Sequence, residues 1–170
     1  MKCCGRKLQN IRGERSHRRS YSATLKRLAV KRRVFLDTNI FIYAFEFPES
    51  NSNKVVELLN KGVIEAVISE QVLKEVQSYF RKFHSKDLAA SFRDYLLRTC
   101  LIVFRSDLTR EMLKYKKLIK AKDLEQVAAV KKLGIKSLVA YDRDFNSFDE
   151  YITPKAFIKE FGLKPAASVY

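Results

Sequence analysis

The sequence is poor in the residues that build several common kinds of site. Three cysteines (Cys3, Cys4 and Cys100) among 170 residues are too few and too badly spaced for a disulfide framework. Only His17 and His84 are there to assist them, at no ligand spacing, so a zinc cluster is not expected either. The five glycines form no Gly-rich loop, which removes both the dinucleotide and the P-loop way of cradling phosphate on backbone amides. No run of eighteen apolar residues occurs, so no membrane-spanning helix is expected. The N-terminal stretch lacks the continuous apolar segment of a secretory signal. Together these absences point to a reducing compartment, the cytoplasm.

What is present is a core and a lopsided charge. Hydrophobic residues make up 46% of the chain, enough for one ordinary domain at this length. The formal charge is +15, but residues 1–33 hold twelve basic side chains against the single acid Glu14, and the remainder holds 22 basic and 18 acidic residues. Residues 1–32 show no sustained periodicity and read as a basic, disordered tail or an over-extended gene start. A phosphate-touching arm and an Arg-rich transit peptide fit the same composition. The expected organisation is a tail over 1–32, one domain over 33–164 and a short C-terminal tail over 165–170.

From Val34 the pattern becomes regular. Val34-Phe35-Leu36 reads as a buried strand followed by a turn and a helix start. Pro48 to Asn53 reads as a loop, and Lys54 to Asn60 as a helix closed by Gly62. Ala66 to Ile68 predicts a second strand, Ser69 opens a helix with Val72, Val76, Tyr79, Phe80 and Phe83 at helical spacing, and another helix spans about Ser85 to Arg98. A strand over Leu101 to Phe104, a helix from about Thr109, a helix over Asp123 to Leu133 and a strand over Leu138 to Tyr141 follow. Pro154 opens a last helix, with Gly162 at its end. Short apolar strands alternating with helices predict an α/β, three-layer α/β/α sandwich around a mostly parallel sheet.

Four acids stand out from the solvated helix faces. Asp37 and Asp142 directly follow apolar strands, and in open α/β sheets ligands bind beyond the carboxyl ends of the strands. Either is equally placed to cap a helix. Asp123 begins a helix on the face shared by Val127 and Val130, so it points inward where a cap would point to solvent. Glu75 borders the apolar stripe of its own helix more closely than Glu70 does. Carboxylates gathered in a half-buried pocket repel one another unless a cation joins them. The natural cation for an all-oxygen site is Mg²⁺ or Mn²⁺. Such a site suits phosphodiester cleavage, and the basic body suits a polyanionic substrate. Lys74, Lys122 and Arg143 neighbour the proposed acids as candidate phosphate contacts.

These segments resemble the motifs of PIN-domain ribonucleases. Val34-Phe35-Leu36-Asp37-Thr38-Asn39-Ile40-Phe41-Ile42 is similar to the opening motif. Ile68 to Val76 resembles the second motif with Glu75 as its acid, and Lys122 to Val130 the third with Asp123. Leu138 to Phe145 resembles the fourth, matching at Asp142 and more loosely at Asp144. Ile152-Thr153-Pro154 with Phe157-Ile158 is similar to the closing strand and helix. The resemblance covers about residues 33–162. It implies a PIN-like fold and a Mg²⁺- or Mn²⁺-dependent endoribonuclease that leaves a 5′-phosphate and a 3′-hydroxyl. Asp37, Glu75, Asp123, Asp142 and Asp144 would hold the metal, and Thr38 and Asn39 would steady the first carboxylate. Small members of the family include VapC-like toxins, usually dimeric and inhibited by a protein antitoxin, so RNA, an antitoxin and a second copy of the chain are the implied partners. One departure is Ala140, where many members carry Thr or Ser.

Two rival readings belong to other classes. One is a PIN-like module that binds RNA or a protein without cutting. The other is a phosphatase or receiver domain phosphorylated at Asp37, which ranks low because Asn39 stands where such phosphatases carry a second Asp.

Overall fold

The computed structural model describes residues 31–167. The tail expected over residues 1–32 falls outside them apart from its last two positions, as does the end of the expected C-terminal tail. The first strand, β1, already begins at Arg32 and runs to Leu36, with Val34, Phe35 and Leu36 buried. Three consecutive apolar residues suit a strand covered on both faces, which is the environment of a parallel sheet. Beside it lie β2 (Ile64–Ser69), β3 (Cys100–Val103), β4 (Leu138–Val139) and β5 (Tyr151–Ile152). The strand order is β3-β2-β1-β4-β5 and every pairing is parallel, as expected for the α/β sandwich.

Helices α1 (Thr38–Glu46), α2 (Asn51–Asn60), α3 (Glu70–Phe83) and α4 (Lys86–Thr99) follow β1 and β2, α5 (Arg105–Tyr115) and α6 (Leu124–Leu133) follow β3, and α7 (Pro154–Glu160) follows β5. The pairs α1–α2, α3–α4 and α5–α6 pack against each other, and α2, α3 and α6 all reach β2. The core includes Phe35, Phe41, Phe80, Phe145 and Phe157, all fully buried. Phe80 of α3 stacks on Phe92 of α4 with ring centroids 3.8 Å apart. None of the described helices is long and apolar enough to cross a membrane.

Side-chain caps open four of the seven described helices. Ser69 accepts from the Val72 amide at 3.3 Å and opens α3, and Ser85 accepts from Leu88 at 3.1 Å and opens α4. Ser50 accepts from the Asn53 amide at 3.0 Å, which starts α2 three residues before the expected Lys54. Helix α5 begins at Arg105 rather than near Thr109, directly after β3, and Phe104 offers its N-terminus no side-chain cap. Gly134 closes α6 at φ +61°, and a Cβ there would touch nothing within 4 Å, so the backbone angle alone selects glycine.

Candidate metal centre

The strand order places β1 between β2 and β4. The chain builds outward from β1 to β3 on one side and then crosses to β4 on the other, so a switch point opens at the carboxyl ends of β1 and β4. Such a crevice is where open parallel sheets bind ligands. Asp37 follows β1 there, its amide bonded to Val139 O of β4 at 3.1 Å. Asp142 lies three residues beyond β4 and opens a short 3₁₀ turn over Arg143–Phe145, accepting the Asp144 amide at 2.9 Å.

The buried start of α6 adds Asp123, and ligand oxygens of Asp123, Asp142 and Asp144 lie within 4.8 Å of one another. Lys122 Nζ sits among them, 3.0 Å from Asp142, 3.5 Å from Asp123 Oδ2 and 3.9 Å from Asp144. Lys120 Nζ is 2.6 Å from Asp144. These ammonium groups and the Asp144 amide hold the Asp142 carboxyl below its usual range, the amide contributing most. Asp123 moves the other way: burial raises it, Lys122 opposes, and Asp142 and Asp144 add repulsion.

Asp37 and Glu75 form a second, neighbouring pair of acids coupled to Asp123 through Asp37. Gln126 Nε2 of α6 donates to Asp37 Oδ1 at 3.1 Å. Glu75 is held at both oxygens, by Thr38 Oγ1 at 2.5 Å and by Gln71 Nε2 at 2.7 Å. Burial pushes the Asp37 carboxyl up to about 6; the Thr38 and Asn39 amides pull it down, while Glu75 and Asp123 add repulsion. Asp37 thus feels Glu75 and Asp123, and Asp123 feels Asp142 and Asp144, so the five acids share one electrostatic neighbourhood. Asp37 and Asp123 occupy N-cap positions, yet neither side chain closes a cap hydrogen bond.

The donor set fits a hard divalent cation. It is made of carboxylate oxygens, several of them repelling. Buried Gln126 Oε1 beside it accepts no hydrogen bond, and buried Asp123 Oδ2 has only the Lys122 ammonium, at 3.5 Å. Softer ligands lie elsewhere among the described residues: His84 bonds Glu46 at 2.7 Å, and Cys100 starts β3, at the opposite end of that strand from the carboxyl edge, with burial pushing its thiol up to about 11.

The sequence-derived residues therefore sort into groups. Asp123, Asp142 and Asp144 lie together with Lys122 in their midst, while Asp37 is coupled electrostatically to Asp123 and to Glu75. Lys74 pairs with Glu70 at 2.5 Å on the exposed side of α3, which also gives Glu70 an ordinary surface role. Arg143 is exposed on the 3₁₀ turn. Thr38 directs its hydroxyl to Glu75 rather than to Asp37, and Gln126 serves Asp37 instead. Gln71, Glu125 and Gln126 were not singled out from the sequence. A readable signal existed for two of them: Gln71 is one turn before Glu75, and Gln126 one turn after Asp123.

A family model described as the PIN domain matches residues 33–146. The fold is similar to a toxin–antitoxin complex from Klebsiella pneumoniae, at 20% identity and a TM-score of 0.58, over 71% of this chain and 97% of that one. It is similar to VapC20 of Mycobacterium tuberculosis, a toxin that cleaves the sarcin–ricin loop, at 16% identity and a TM-score of 0.52, over 67% and 93% of the two chains. A third likeness is to VapBC2 of Rickettsia felis, bound to a DNA fragment from its promoter, at 24% identity and a TM-score of 0.51, over 71% and 96%. No curated protein sequence matches the chain.

Proposed function

Because this chain belongs to the PIN-domain family, we propose that it is a Mg²⁺- or Mn²⁺-dependent endoribonuclease. The observation that carries this reading is the meeting of Asp123, Asp142 and Asp144 at the sheet's switch point, with Asp37 coupled electrostatically to both Asp123 and Glu75.

Asp37, Glu75, Asp123, Asp142 and Asp144 would hold the metal. When bound, the ion supplies a Lewis acid for a phosphate oxygen and lowers the pKa of a water. The protein's own residues set the geometry for in-line attack. Gln126 donates to Asp37 Oδ1 and fixes the orientation of that carboxylate. Thr38 fixes Glu75 from the first turn of α1. Lys120 and Lys122, with exposed ammonium groups at the mouth of the cluster, draw in the phosphodiester, with Arg143 and Lys74 farther out. Water adds to phosphorus, the bond to the 3′-oxygen breaks, and the departing oxygen takes up a proton. The products are a 5′-phosphate and a 3′-hydroxyl.

The toxin and toxin–antitoxin structures that share the fold support a further step. On this reading the chain is the toxin of a toxin–antitoxin pair, with a protein antitoxin as its inhibitor and a homodimer as its assembly. The non-cutting alternative has its own support. Ala140 is fully buried and carries no hydroxyl, and two lysines already neutralise part of the cluster. Incubating the purified protein with mixed single-stranded and structured RNAs separates the two. Cleavage should require Mn²⁺ or Mg²⁺, stop with chelator and be lost in Asp37→Asn. Cleavage that persists through all three conditions would belong to a contaminant, and none in any would leave the binding module.

A further inference from the structure

Glu75 and Asp123 reach the cluster on different helices, and no strand pairing sets the distance between them. We propose that Gln71 is the positioning residue that sets it, with Glu125 as its anchor; the inference rests on the reading of the acid cluster as a divalent-metal site.

Gln71 lies in the first turn of α3 and is half-buried. Its carboxamide nitrogen donates to Glu75 Oε1 at 2.7 Å and to Lys122 O at 2.6 Å. A primary amide has two N–H bonds, and both are spent here. One planar group therefore joins the Glu75 carboxylate to the carbonyl immediately before Asp123. The backbone amide of the same residue donates to Glu125 Oε1 at 3.0 Å, two positions after Asp123. The start of α3 thus grips the start of α6 on both sides of Asp123.

Helix chemistry explains why an outside acceptor is used. The first amides of a helix have no intrahelical partner. Ser69 satisfies that of Val72, and the Gln71 amide is left for Glu125. That carboxylate is only 2% exposed, and its second oxygen is 3.3 Å from Arg105 Nη1 of α5. A charge-assisted bond at the positive end of α3 favours the buried anion. Thr38 holds the other oxygen of Glu75 but makes no link to α6. Gln71 is thus the side chain that ties both acids, and it lies outside the apolar core, so losing its donors should loosen the site without unfolding the domain.

The test measures metal binding by the full chain, with Mn²⁺ alone as titrant in calorimetry and melting followed in chelator. Gln71→Met keeps the length and removes the donors. It should bind Mn²⁺ roughly 10–100-fold more weakly than wild type, the usual effect of losing a partner of a metal-binding carboxylate, with the ion-free melting temperature almost unchanged. Glu125→Gln keeps an acceptor for the Gln71 amide and should bind Mn²⁺ close to wild type. If Gln71→Met melts far below wild type, Gln71→Asn, one methylene too short to reach both acceptors, takes its place in the same comparison. Wild-type binding with unchanged affinity in the Gln71 variant would overturn the inference and leave the metal site standing. A Glu125→Gln loss as large as that of Gln71→Met would show Glu125 acting on the site through its charge and overturn its role as the acceptor that anchors Gln71. No Mn²⁺ binding by wild type would remove the metal site and this inference with it.

Discussion

At the scale of single residues, Asp37 is where burial and charge conflict most. Its carboxyl titrates near 6 in the fold, against an ordinary 3.8 in an unfolded chain. Between those values the folded protein keeps a proton that the unfolded chain has released. Stability is therefore full below about pH 4, falls as pH rises towards about 6, and is level above that. The loss is about 3 kcal/mol at about 1.4 kcal/mol per pH unit. Melting in chelator should show wild type more stable at pH 5 than at pH 7.5, whereas Asp37→Asn, neutral throughout, should show little of that slope. An equal slope in both would place the conflict at another group. Asp37 and Asp142 were legible in the sequence because a short apolar strand ending in Asp is a local pattern. Gln126 was not, since its role depends on meeting Asp37 across 89 positions of chain. Asp123 was half-legible: its inward face could be read from Val127 and Val130, while its meeting with Asp142 and Asp144 is expected from the strand-end pattern and the family resemblance rather than from its own segment.

Among the elements, α3 carries both Gln71 and Glu75, and its start depends on Ser69, whose hydroxyl accepts the Val72 amide while fully buried. Ser69→Ala should cost about 1 kcal/mol, the usual worth of such a cap, read as a lower denaturation midpoint with an unchanged slope. No loss of stability would mean that packing alone starts the helix. Serine before an apolar-periodic run is a pattern that sequence carries, which is why α3 and α4 began where expected. Helix α5 has no such mark. It starts under Phe104 because β3 ends there, and that ending is set by pairing with β2, a contact between segments distant along the chain. β4 is shorter than the apolar run Leu138 to Tyr141 because β5 offers only Tyr151 and Ile152 as partners. The helix α6 is the reverse case: Leu124 through Val130 are all buried, Glu125 and Gln126 included, so two polar side chains sit where periodicity alone favours apolar ones, and both serve the site.

For the molecule as a whole, a ligand that binds only the folded state must stabilise it. Mn²⁺ at a hundredfold excess over its Kd should add about 2.7 kcal/mol, roughly 5–10 °C in Tm for a chain of this size, reversed by chelator. An unchanged Tm would count against the cation site. Charge makes a separate prediction. Residues 1–32 hold eleven of the 34 basic side chains, so removing them should flatten the dependence of RNA affinity on salt if those charges contact phosphates. An unchanged slope would assign the contacts to the folded domain. The fold class was legible at this scale because alternating strands and helices leave few parallel arrangements, whereas the strand order that makes the crevice was not. That order has a consequence during synthesis. Among the described strands the innermost is made first, yet the acids near it at the crevice come from positions 123, 142 and 144. A ribosome extending this chain therefore carries the strand beneath the crevice without the carboxylates that face it until position 144 has been made, so the proposed metal centre can form only after four of the five described strands exist.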